Sequence, residues 1–212
     1  MKQLACFIVE TRNVPNLVKI INGYLKYLPS DMELFIYHGE ETAYLKSFYP
    51  KATLIPLPEA HIDIPFYNAL LTSSKFWTTF LDFRRVLCIQ ADGGALRWGI
   101  EEFVDMPYGF YGASHWFNLV CSSNGGVSLR DPKLMYEICS KYPWNGYSNE
   151  DMHFSKIICK DYPDRMAPRE IRDQFSVESV FATGSMFYHS PEKYLTPEQC
   201  EEIMNQIKIT MS

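Results

Sequence analysis

Residues 84–96 read RRVLCIQADGGAL. Two arginines lead into the apolar run Val86–Ile89, and the run stops at one acid, Asp92, backed by Gly93 and Gly94. A continuous apolar run of this length suits a strand buried on both faces. A carboxylate at its end permits two readings. It can be a turn aspartate capping the next helix, or an oxygen ligand for a hard divalent ion, with glycines that let the backbone crowd a ligand. Gln90 is expected on the same strand face as Asp92, two residues earlier, where a paired-acid metal motif would carry its first acid.

Working outward, the same grammar repeats upstream. LACFIVE (residues 4–10), MELFIYHG (32–39) and ATLIPLP (52–58) read as three more strands. Between them, NVPNLVKIINGYLKYLP (13–29) carries Val14, Leu17, Val18, Ile21, Leu25 and Leu28 at helical spacing, and TAYLKSFYP (42–50) is a shorter helix. DIPFYNALLTSSKFWTTFL (63–81) reads as one long helix with Pro65 in its first turn, its Phe76, Trp77 and Phe80 facing a core. Strand and helix in alternation predict an α/β layer with a mainly parallel central sheet flanked by helices, whose ligands bind beyond the carboxyl ends of the strands. Beyond residue 100 the alternation weakens. Helices are expected near residues 132–141, after NED (149–151), and over 195–209 with Thr196 as N-cap and Glu198 nearby.

Composition narrows the function. The chain has 212 residues, enough for one domain with a sizeable core, and 47% of them are hydrophobic. A formal charge of −5 argues against a nucleic-acid binder, which needs a basic face. The six cysteines are scattered with no CxxC pair, so a structural zinc site is not expected and a reducing, cytoplasmic setting is. Cys6 and Cys88 read as small buried hydrophobes. The N-terminal apolar run is too short for a signal sequence or a membrane span.

Downstream stretches add candidates. Asn124, Gly125 and Gly126 in SSNGGVSLRD suit either a hairpin turn or backbone approaching a sugar or phosphate. Arg130 and Asp131 are expected to pair or to cap the helix at Pro132. Glu150 and Asp151 open a helix, where acids cap favourably; one of them facing a cleft would serve as a general base. Of the five histidines, His189 ends an apolar run before Ser-Pro and suits a metal ligand. Trp116, Phe117, Trp144 and Tyr147 suit packing or stacking on a sugar.

The ordered blocks FIVETR, FIYHGEE, YNALLTSSKFWTTF, VLCIQADGGAL, NGGVSLRD, NEDMHF, FSVE and GSMFYHSPEKYL resemble a family of small glycosyltransferases with the GT-A (Rossmann-like) fold. That family occurs in bacteria and in large DNA viruses, including viruses of chlorella-like algae, and the resemblance runs from about residue 5 to 197. It implies a single domain over residues 1–212, with a nucleotide-binding half (about 1–98) and an acceptor and metal-completing half (about 99–212). It also implies sugar transfer from a nucleoside-diphosphate donor, most often a UDP-sugar, with Mn²⁺ or Mg²⁺, to a glycan, glycoprotein or other hydroxyl acceptor, in the cytoplasm (the host's, if viral).

By position, the resemblance makes Asp92 and His189 the metal ligands. Glu10, Thr11, Arg12, Gln90, Asp92, Gly93, Asn124, Gly125 and Gly126 hold the nucleotide and donor, and Glu150 and Asp151 meet the acceptor hydroxyl or donor sugar. Gln90 departs from the family pattern: either metal affinity is lower, or Asp92, His189 and phosphate oxygens alone hold the ion, which would make metal binding depend on nucleotide. Inversion at the anomeric carbon is favoured if either acid lies behind the sugar. Three other functions compete. A nucleotidyltransferase would want a glycine- and basic-rich loop after the first strand, but ETRNVPNL has one arginine and no glycine. A glycoside hydrolase needs two opposed carboxylates. A catalytically silent sugar- or nucleotide-binding domain would keep the fold and gain nothing from Mn²⁺.

Overall fold

The computed structural model describes residues 2–59 and 61–209, without the side chains of 206–209. The alternating half is built as expected: β1 (Lys2–Glu10), α1 (Leu17–Leu25), β2 (Glu33–His38), α2 (Leu45–Phe48), β3 (Thr53–Pro56), α3 (Ile64–Leu71), α4 (Ser74–Thr78) and β4 (Phe83–Ile89). Next come β5 (Gly93–Ala95), α5 (Ile100–Asp105), β6 (Phe110–Tyr111), β7 (Ser114–His115), β8 (Asn118–Ser123) and β9 (Ser128–Arg130). The chain closes with α6 (Pro132–Lys141), α7 (Glu150–Asp161), α8 (Arg169–Phe175), β10 (Ser176–Val177), β11 (Phe187–His189) and α9 (Pro197–Ile209).

The central sheet has the order β3-β2-β1-β4-β9-β6. Its first four strands are parallel, and β9 joins antiparallel to both β4 and β6. Side chains alternate across it, so β1 sends Leu4, Cys6 and Ile8 into one core and Ala5, Phe7 and Val9 into the other. Burial on both faces explains why these strands read as unbroken apolar runs. Cys6 and Cys88 are fully buried, and Phe76, Trp77 and Phe80 pack on Phe7, as their spacing predicts.

Two expectations fail locally, and of the two roles expected for Arg130 and Asp131 only capping is found. The helix predicted over residues 63–81 is two helices. Thr72 ends α3 and turns its hydroxyl back onto Asn68 O at 2.6 Å, and Ser73 is extended. Hydroxyl residues that bond nearby backbone compete with helix continuation. Arg130 and Asp131 do not pair with each other. Asp131 caps α6 through the amides of Lys133 and Leu134 and binds Arg165, while Arg130 turns inward. Cysteine pairing also departs from the reducing-compartment expectation: Cys121 on β8 and Cys159 on α7 form a disulfide, their Cα atoms 5.9 Å apart. The 38-residue separation hid the pair, which only the packing of α7 on β8 brings together. As expected, Thr196 caps α9: it forms a reciprocal capping box with Gln199, and Glu198 bonds the same threonine side chain. Among the described residues no helix is long and apolar enough to cross a membrane.

Candidate functional site

A second, three-stranded sheet, β10-β11-β5, builds the site. β11 runs antiparallel to β5 with His189 opposite Gly93, and Ser190 N donates to Asp92 O at 2.9 Å. This pairing carries His189 to the tip of β4, where the parallel strands end. His189 Nε2 then lies 3.1 Å from Asp92 Oδ1 and 3.0 Å from Gln90 Oε1, so the expected convergence of Gln90 and Asp92 is met on the imidazole.

Asp92 accepts on Oδ2 from Ser190 Oγ at 2.6 Å and from Lys193 Nζ at 3.1 Å. Burial opposes its charge, yet the hydrogen bonds from His189, Ser190 and Lys193 hold the carboxyl well below its usual range. His189 is buried too, which disfavours its cation, but its bonds to Asp92 and Glu178 outweigh that and hold it at about 9. Glu178 fixes the ring from behind: its Oε1 accepts from His189 Nδ1 at 2.8 Å and from Asn124 Nδ2 at 3.0 Å. The sequence reading assigned Glu178 no role; it lies in the FSVE block, the one signal that could have found it.

The NGG loop is the hinge of the site. Asn124 Oδ1 accepts from Gly126 N at 2.8 Å. A side chain at Gly126 would collide with the His189 ring, and one at Gly125 with Glu150 and Asp151. The two glycines thus sit between the histidine and the acidic pair. Asp151 Oδ2 accepts from Gly125 N at 3.1 Å, and burial, together with the neighbouring Glu150 charge, pushes Asp151 up to about 7. Glu150 plays another part. Both its oxygens are held by Arg130, at 2.6 and 2.7 Å, and Asn68 accepts from its amide. Arg130 is fully buried, its guanidinium against the rings of Phe110 and Phe154.

These groups line one cleft of about 510 Å³ that also includes Glu10, Arg12, Tyr67, Asn68, Lys193 and Tyr194. Arg12 is clamped onto Glu10 by two bonds of 2.9 Å and exposed to the cleft. Two expected ligand residues do other work. Thr11 is buried, and its hydroxyl accepts from Ile62 N, which anchors the next loop. Gly93 is hemmed in by Tyr24, Val127 and Tyr188, so its lack of a side chain serves packing instead of ligand approach. Trp144 donates its indole N–H to Ser148 O and so pins its own loop.

Among the described residues, no three His, Cys, Asp or Glu side chains are grouped to hold a metal ion. The donors present fit one in part. Nε2 of His189 stands 3.0–3.1 Å from both the Gln90 and Asp92 oxygens, and adjacent ligands on a small octahedral ion stand about 3 Å apart. A carboxylate behind a ligating imidazole is the usual support. Asp92, the Gln90 amide oxygen and His189, once its Nε2 proton is displaced, can therefore supply part of a shell that phosphate oxygens and water would complete.

A family profile described as a protein of unknown function (DUF5672) matches residues 52–191. The chain belongs to this family. No curated protein matches the sequence. Among solved structures, this DUF5672 member is similar to the apo-form glycosyltransferase GlyE of Streptococcus pneumoniae TIGR4, with a TM-score of 0.53 and 11% identity over 93% of this chain and 55% of that one. A weaker likeness, TM-score 0.47 and 10% identity over 72% of this chain and 50% of the other, is to the mannosyltransferase PcManGT from Pyrobaculum calidifontis in complex with GDP-Man and Mn²⁺. The chain thus spans about half the length of these proteins. At this identity the likeness to GlyE establishes the fold: the DUF5672 chain has the GT-A-type α/β architecture expected from its sequence blocks.

Proposed function

We propose that the protein is a glycosyltransferase that moves a sugar from a nucleoside-diphosphate donor, UDP-linked in the first instance, to a hydroxyl of a glycan or other acceptor. The observation that carries this reading is the meeting of Asp92, Gln90 and His189 at the carboxyl ends of the parallel strands, with Asp151 across the NGG loop from them. In this reading residues 1–98 form the nucleotide half of one domain and residues 99–212 its acceptor half.

The roles divide by chemistry. Arg12 and Lys193 line the cleft with basic side chains suited to donor phosphates. Asp92 and His189, with Gln90, would hold Mn²⁺ or Mg²⁺, which supplies Lewis-acid stabilisation of the leaving diphosphate. Asp151 is the general base. As the acceptor oxygen bonds to the anomeric carbon, its proton passes to the Asp151 carboxylate. The bond from the anomeric carbon to the phosphate oxygen breaks, and its electron pair leaves with the diphosphate. Attack from the side opposite the leaving group inverts the anomeric centre. A carboxyl titrating near 7 suits this role, because a base works best when its pKa lies near the operating pH. Glu150 is kept out of the reaction by Arg130 and serves to raise Asp151.

Thermal shift with UDP, GDP, ADP and CMP, each with and without Mn²⁺, tests this on wild type and Asp92→Asn. A ligand at a hundred times its dissociation constant stabilises a fold by about 2.7 kcal/mol. Stabilisation by one nucleotide that needs both Mn²⁺ and Asp92 is expected. No response to any nucleotide would reject the transferase in favour of a silent sugar-binding domain.

A further inference from the structure

Beside Asp151 the cleft continues into a recess of about 180 Å³ lined by Trp116, Phe117, Asn149, Asp151, Ser179 and Tyr194, among others. Trp116 and Phe117 are the two turn residues of the β7–β8 hairpin, because His115 pairs with Asn118. Neither residue has a positive φ, so the turn itself accepts most side chains and does not demand Asn or Gly. Here the turn carries two large aromatic side chains that remain 64% and 54% exposed. Large apolar side chains left exposed side by side at a recess mark a candidate binding surface.

The hairpin tip is nevertheless held in place. The Phe117 ring stacks on His115 at 4.9 Å and 14°, and Trp116 stands edge-on to Phe117 at 5.7 Å and 89°. His115 is bonded in turn to Ser122. Trp116 N donates to Ser179 Oγ, and that hydroxyl donates to Ser114 O, both at 3.2 Å. The result is a supported aromatic shelf whose outer faces are bare.

Apart from Met152 the rest of the recess is polar and carries no lysine or arginine; its ionisable lining residues include His115, Asp151 and Glu178. That balance disfavours a phosphate or an acidic sugar. It suits a neutral ring with a C–H face for the aromatics and hydroxyls for the polar wall. We propose that this recess is the acceptor subsite, taking a neutral pyranose stacked on the Trp116–Phe117 shelf with one hydroxyl turned to Asp151. The assignment rests on the transferase reading of the adjoining cleft.

Saturation-transfer NMR on the full chain tests it, with methyl glycosides of glucose, galactose, mannose and N-acetylglucosamine, and glucuronic acid as the anionic arm. Trp116→Ala, Phe117→Ala and the conservative Trp116→Phe are compared, with UDP and GDP titrated into the same samples. Both aromatics are exposed, so an unchanged thermal midpoint checks that the variants fold. Ring C–H signals from at least one neutral glycoside are expected. Its affinity should fall at least ~10-fold in Trp116→Ala, survive in Trp116→Phe, and leave nucleotide affinity within about twofold. Nucleotide binding with no glycoside bound, or glycoside binding indifferent to both alanine variants, would overturn this inference alone. Nucleotide affinity falling with Trp116 would overturn it too, by assigning the shelf to the base. Glycoside binding with no nucleotide binding would overturn the transferase reading and the acceptor role with it.

Discussion

His189 and Asp92 are 97 residues apart in the chain, yet Nε2 of one lies 3.1 Å from Oδ1 of the other. The contact exists because β11 pairs with β5 in a register that sets His189 opposite Gly93. The ring lies flush against Gly126 and is held from behind by Glu178. Three other stretches of chain thus fix one imidazole.

Gly126→Ala should therefore act as a lesion of His189. The added methyl collides with the ring, which must leave Asp92 or strain the loop, at a cost of about 1–3 kcal/mol. Nucleotide-dependent stabilisation in Mn²⁺ should fall as far as in His189→Ala. Gly23→Ala, within α1 and with open space around it, is the control and should instead gain about 0.5–1 kcal/mol. Thermal shift reads both.

Asp151 predicts a stability that depends on pH. Its carboxyl is raised from 3.8 to about 7 in the folded chain. Between these values the folded form keeps a proton that the unfolded form has released. Stability therefore falls as pH rises through this window and levels off above it. Asp151→Asn should flatten that slope, gain ~1–2 kcal/mol above pH 7, and reduce turnover about 10²–10⁴-fold. Urea denaturation across pH 4–9 checks the stability arm.

Removing the Glu150 charge shifts the same group. In Glu150→Gln the repulsion on Asp151 disappears, so the rise of kcat/KM with pH should move to lower pH while turnover survives. Loss of turnover at every pH would instead make Glu150 the base.

Arg130→Met tests the buried pair from the other side. It leaves the buried Glu150 carboxylate without its guanidinium partner and should cost about 3–5 kcal/mol. Arg130→Met combined with Glu150→Leu should recover most of that, since the desolvation cost goes with the charges. Chemical denaturation of the two singles and the double closes the cycle.

The Cys121–Cys159 disulfide ties the aromatic hairpin's β8 to α7, which carries Asp151 at its start. A loop of this length restrains the unfolded chain by about 3–4 kcal/mol. Dithiothreitol should lower the thermal midpoint of the wild type and leave that of Cys121→Ser/Cys159→Ser unchanged.

The parallel half of the fold was legible because it depends on local periodicity. Apolar runs buried on both faces and helices of 3.6-residue period can be read from neighbours in the chain, and β1 to β4 stand where those patterns put them. Asp92 was legible for the same reason: it sits at the tip of such a run. Even there, the Thr72 hydroxyl turned back onto Asn68 O, and the extended Ser73 after it, interrupt a helix that the apolar spacing favoured.

Only the tertiary structure decided which distant residues meet. Glu150 and Asp151 are equivalent on paper; the buried guanidinium of Arg130 separates a structural acid from one that titrates near 7. Gly93 and Gly126 both look like ligand-facing glycines, and packing assigns the first to Tyr24 and Tyr188 and the second to His189. The Cys121–Cys159 pair, and the contacts that hold Trp116 and Phe117 together as a shelf, were beyond a linear reading. Burial, desolvation and strand register arise from contacts between segments tens of residues apart, and no local pattern encodes those distances.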